Sequence, residues 1–80
     1  MNTPPDIADC IQKNLHQYFQ DLEGGTATGV YDMVLLQVEK PLLECVMTQC
    51  GGNQSKASEI LGLNRNTLRK KLILHGLLEI

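Results

Sequence analysis

Residues 52–72, GNQSKASEILGLNRNTLRKKL, hold two helix-start signals and one sharp stop. Asn53 precedes a short helical pattern, Gln54 to Leu61, and its side chain is of the kind that accepts a hydrogen bond from a free first-turn N–H. Gly62 follows, a residue that takes positive φ at a helix end without a Cβ penalty. Asn64 repeats the capping signal for a second helix from Arg65 to about His75, ended by Gly76. Ala57, Ile60 and Leu61 are expected to face inward, with small Ala57 and Ser58 allowing close approach and Leu63 filling the corner under Gly62. Leu68 and Leu72, four residues apart, form the buried stripe of the second helix. Asn64, Arg65, Asn66, Thr67, Arg69 and Lys70 are left on or near its outer side. Two helices around a Gly turn, the second with a basic polar face, describe a helix-turn-helix.

Upstream, Gly51-Gly52 closes a long pattern from Val30 to Cys50 whose apolar residues wind round nearly the whole circumference. Such a helix needs cover on more than one side, and the rest of an 80-residue chain is too small to supply it. Self-association solves this, with two copies crossing their long helices and covering them with the first helices. Pro41 is expected to kink this helix; two shorter helices meeting at Lys40-Pro41 are the alternative. The first helix opens at Thr3-Pro4-Pro5-Asp6, with Thr3 as the capping hydroxyl and the prolines in the first turn. Its apolar face is Ile7, Ile11, Leu15, Tyr18, Phe19 and Leu22, it ends at Glu23-Gly24-Gly25, and Thr28 is a capping hydroxyl for the long helix. The expected fold is all-α, with four helices per chain in an intertwined homodimer carrying C-terminal helix-turn-helix units. Residues 1–50 would be the dimerisation core of one domain spanning 1–80, and residues 51–80 its DNA-binding unit.

Charge is unevenly placed. Residues 1–50 carry two lysines against seven carboxylates, net −5, and residues 51–80 carry five cations against two carboxylates, net +3. An acidic body with a basic end suits contact with a polyanion, although a solvated basic helix face would look the same. The run Asn64-Arg65-Asn66-Thr67 favours contact, because these residues make poor helix surface but good caps and donors. Near the helix N-terminus, Asn64 and Arg65 can donate to base edges in a major groove, while the caps and later positions meet phosphates.

Other classes find little support. No 18-residue apolar run and no basic-then-apolar leader is present, so a soluble cytoplasmic protein without membrane contact is expected. Cys10, Cys45 and Cys50 are odd in number without a CxxC, and His16 and His75 stand alone, so no metal site is expected. With no nucleophile–base pair, phosphate loop or paired carboxylates, neither an enzyme nor a cofactor is expected.

Pro41-Leu42-Leu43-Glu44, Gly52 to Ala57 and Gly62 to Leu72 closely resemble the Fis family, the bacterial factors for inversion stimulation. Leu15, Tyr18-Phe19 and Val38-Glu39-Lys40-Pro41 are similar too, so the likeness covers most of the chain. The resemblance implies a single Fis-like domain in a homodimeric, nucleoid-associated protein that bends double-stranded DNA and regulates transcription. Carried over by position, Asn64 and Arg65 would contact bases, and Asn53, Ser55, Thr67, Arg69, Lys70 and Lys71 would contact phosphates. The family's recognition helices lie closer together than one DNA turn, so binding would bend the duplex and select a deformable AT-rich centre.

Some positions depart from the family. Met1 stands only a few residues before the first helix, leaving no counterpart of the arms that stimulate recombinases, so that activity is not expected. Gly51 and Ile73-Leu74 replace positions that can be basic, implying weaker wrapping of the DNA flanks. The apolar tail Leu77-Leu78-Glu79-Ile80 would pack on the body or meet another protein. The C-terminal motif also resembles the DNA-binding domain of NtrC-type activators, and a helical dimeric adaptor without DNA is the reading from another class.

Overall fold

A computed structural model of the protein describes residues 6–79. These form four helices, α1 (Ile7–Asp21), α2 (Val30–Gln49), α3 (Gln54–Leu61) and α4 (Arg65–Leu74), and no strand. They fall into two compact units, Met1–Val30 and Tyr31–Ile80. The boundary between them comes near the start of α2, because the C-terminal half of α2 shares its core with α3 and α4.

In the first unit, the Asp9 N–H donates to Asp6 Oδ1 at 3.2 Å, which makes Asp6 the N-cap of α1. The cap expected at Thr3 lies outside the described residues, and the helix starts one residue after a carboxylate well placed against its dipole. Asp9 and Lys13, one turn apart and both exposed, approach to 2.9 Å. Ile11, Leu15, Tyr18 and Leu22 are half-buried, Ile7 and Phe19 are exposed, and no residue of α1 is fully buried. Tyr18 and Phe19 meet edge to face with ring centroids 5.5 Å apart.

The second unit is built on α2, one unbroken helix of 20 residues that runs through Pro41. Pro41 and Gln37 are both exposed, so water can serve the carbonyl that the missing proline N–H leaves without its bond. Leu43 is buried, while Tyr31, Leu35, Leu36 and Leu42 stay exposed. Within this unit α3 and α4 cover α2 at Leu43 and leave much of its apolar surface open. Among the described residues no helix is long and apolar enough to cross a membrane.

Leu43, Ala57, Leu68 and Leu72 form the core, with Val46, Met47, Cys50, Leu61, Leu77 and Leu78 packed around it. Leu77 and Leu78 of the tail are therefore half-buried against the protein's own body. Inside α3 the inward set differs from expectation. Ile60 is 57% exposed, and Ser58 takes the inward place beside Ala57, its hydroxyl donating to the Ser55 carbonyl at 2.7 Å. That local bond satisfies a polar group next to a residue with no free surface. At Gly62, φ is +72°, and the N–H groups of Gly62 and Leu63 donate to the carbonyls of Glu59 and Ser58 at 3.2 and 2.9 Å. This closes α3 as a Schellman turn and sends the chain directly into α4. The helix-turn-helix is held by these bonds, by Ala57 and by Leu68.

Candidate nucleic-acid interface

Two asparagine caps set the working ends of α3 and α4. Asn64 Oδ1 accepts the Asn66 N–H at 2.7 Å, and Asn53 Oδ1 accepts the Lys56 N–H at 3.2 Å. With Leu68 and Leu72 sealed in the core, the opposite side of α4 is turned out. Asn64, Arg65, Thr67, Arg69 and Lys70 are all exposed, as are Asn53 and Ser55 at the start of α3. Seven of the eight positions expected to meet nucleic acid thus lie at the surface.

Asn64, Arg65 and Arg69 share an open cleft of about 300 Å³ with Gln54 and Asn66. Gln54 was missed by sequence reasoning; its signal was its place as the first residue of α3, directly after a cap. The cleft offers two guanidinium groups and three amides, a donor-rich set suited to base edges and phosphate oxygens.

Lys71 stands apart from the other seven. It is half-buried, and its Nζ donates to Glu39 Oε2 of α2 at 2.9 Å. His75, the C-cap of α4, brings Nε2 to within 2.8 Å of the other oxygen, Glu39 Oε1. His75 therefore has a partner that sequence reasoning did not foresee.

Lys71 first, then His75, hold the Glu39 carboxyl below its ordinary value of 4.5, with burial working against them. A depressed carboxylate adds stability above its unfolded value and loses it as pH falls through the folded one. Glu39→Gln should thus cost about 1 kcal/mol at neutral pH, and less as acid protonates the wild-type carboxylate. Chemical unfolding of both proteins from pH 7 to 3 checks this. A difference independent of pH would contradict the ionic role of Glu39.

Residues 35–73 match the family described as bacterial regulatory protein, Fis family. A Fis-like DNA-binding protein of Neisseria meningitidis is 75% identical over 77 residues, covering 96% of this chain and 98% of that protein. One from Pseudomonas aeruginosa is 60% identical over 72 residues, 90% of this chain and 69% of its own length. A third, from Ralstonia nicotianae, is 56% identical over 72 residues, with 90% and 94% covered. The family match runs from the sixth residue of α2 to the last but one of α4 and so takes in Glu39 and Lys71 but not His75.

Proposed function

The chain belongs to the Fis family of bacterial regulatory proteins, and from that premise we propose that it is a homodimeric protein that binds and bends double-stranded DNA. It acts as a sequence-tolerant, nucleoid-associated regulator of transcription in the bacterial cytoplasm. The observation that carries this reading is the donor-rich cleft at the N-terminal end and one flank of α4. Arg65, Arg69 and Asn64, the cap of α4, are exposed together in one cleft, while Leu68 and Leu72 fix the helix in the core. Arg65 and Asn64 read base edges; Asn53, Ser55, Thr67, Arg69 and Lys70 hold phosphates.

Tyr31, Leu35, Leu36 and Leu42 support the homodimer, since a second copy would cover these exposed apolar residues of α2. If so, the melting temperature should rise with protein concentration, because unfolding also dissociates the dimer. A melt independent of concentration would count against obligate pairing.

In the bent complex, base contacts are few and the centre of the site is selected by how cheaply it deforms. Gel shifts on duplexes of about 30 base pairs, with identical flanks and either an AT or a GC centre, test this directly. One dimer per duplex, with roughly tenfold preference for the AT centre, is the expected outcome. Equal affinity for both would remove bending from the account.

A further inference from the structure

The cluster Glu39–Lys71–His75 joins α2 to the C-terminal half of α4, outside the cleft that Arg65 and Arg69 line. Glu39 precedes buried Leu43 by four residues, so the two share a face of α2. Lys71 and His75 are also four apart and reach the two oxygens of the same carboxylate. These contacts span 32 and 36 residues of chain. Lys71 and Glu39 retain only 33% and 22% side-chain exposure, and His75 6%.

The placement around α4 gives the cluster a mechanical sense. At about 100° per residue, Lys71 lies about 80° to one side of the Leu68–Leu72 stripe, and Arg69 about 80° to the other. Arg65 falls on the Arg69 side, about 40° from the stripe. Two leucines on a single stripe resist lifting of a ten-residue helix better than they resist rolling. A fixed point on the flank opposite the arginines is what limits roll.

We propose that Glu39 is a positioning residue for DNA recognition, gripping Lys71 and His75 so that Arg65 and Arg69 keep their aim, and that Lys71 belongs to this clamp instead of the phosphate-binding set. The proposal rests on the DNA-binding reading above. It departs from the family-based expectation for Lys71, whose ammonium already has a charged partner at 2.9 Å.

Fluorescence anisotropy with the full chain and the AT-centred and GC-centred duplexes tests it, over a range of salt. Glu39→Ala, Lys71→Met, the double variant, Lys71→Arg and Lys70→Ala are compared with wild type. All are measured where circular dichroism gives equal helix content. Glu39→Ala and Lys71→Met should each weaken AT-centred binding by roughly five- to twentyfold, and the double variant by no more than either alone. Lys71→Arg, which keeps a charged donor for Glu39, should bind within about twofold of wild type. The salt slope of Lys71→Met should equal that of wild type, whereas Lys70→Ala should lower it by about one for each protomer.

A lowered slope for Lys71→Met, with unchanged or tighter binding by Glu39→Ala, would make Lys71 a phosphate contact and overturn the proposal. Additive losses in the double variant would overturn it as well. Should Glu39→Ala fail to fold, the slope of Lys71→Met and the rescue by Lys71→Arg decide alone. Wild type that binds neither duplex at low salt would instead remove the DNA-binding reading itself.

Discussion

Leu68→Ala lowers the stability of the helix-turn-helix by about 2–5 kcal/mol, more than any surface change in the chain. Leu68 has no exposed surface and sits in the core with Leu43, Ala57 and Leu72, where three helices meet. Truncation removes the transfer free energy of its side chain and leaves a void that cannot close cheaply. Its neighbours across the core are Leu43 of α2 and Ala57 of α3, on helices already held by their own backbone bonds. The matching substitution Leu74→Ala, on the same helix but at a residue 66% exposed, should change stability by only about 0.5 kcal/mol. Thermal melts followed by circular dichroism check both. For a chain of this size the first predicts a fall of roughly 10–25 °C in Tm and the second almost none. Equal shifts would mean that α4 is not seated on its Leu68–Leu72 stripe.

Arg65→Ala should weaken binding to a preferred site by about 1–3 kcal/mol and reduce the difference between preferred and other sequences. Arg65 is the first residue of α4, exposed, and beside the capping Asn64 in the cleft. A guanidinium there can give two donors to one guanine edge, which is sequence-dependent contact. Lys70 is exposed on the side of α4 away from the core stripe, and its ammonium suits a phosphate. Lys70→Ala should therefore weaken all sequences alike and lower the salt slope by about one for each protomer. Titrations of both variants against a preferred and a scrambled duplex separate the roles. An equal loss on every sequence for both would take base reading away from Arg65.

The helix-turn-helix was the most legible part of the chain, because its boundaries are set by short-range chemistry. Asn53, Gly62, Asn64 and Gly76 each act on backbone groups within five residues, so their spacing alone locates α3 and α4. Pro41 was read correctly as lying within one helix, since no turn residue interrupts the apolar run around it. Position within a helix face was harder. Ile60 looked like core, yet the close approach of the helices at Ala57 favours small Ser58 next to it and leaves Ile60 outside. At the N-terminus the sequence pointed to Thr3, which lies outside the described residues, and not to Asp6, whose side chain caps α1.

Glu39, Lys71 and His75 were not legible as a group. Nothing in local periodicity links residues 32 and 36 positions apart; the link exists only once α4 has folded back on α2. Lys71 entered the phosphate-binding set through the family resemblance alone, since the helical winding had left it off the outer side. That winding carries it toward Glu39 of α2. The same folding leaves Tyr31, Leu35, Leu36 and Leu42 exposed, which is why a second copy enters the functional account.

The salt dependence of wild-type binding to the AT-centred duplex tests the central claim most directly. A surface that neutralises phosphates releases counterions, so log K should fall steeply and linearly with log salt. Several phosphate contacts per protomer predict a loss of roughly a hundredfold or more between 50 and 200 mM salt, with one dimer on each duplex. No binding at low salt, or binding that salt leaves unchanged, would contradict DNA recognition by α4.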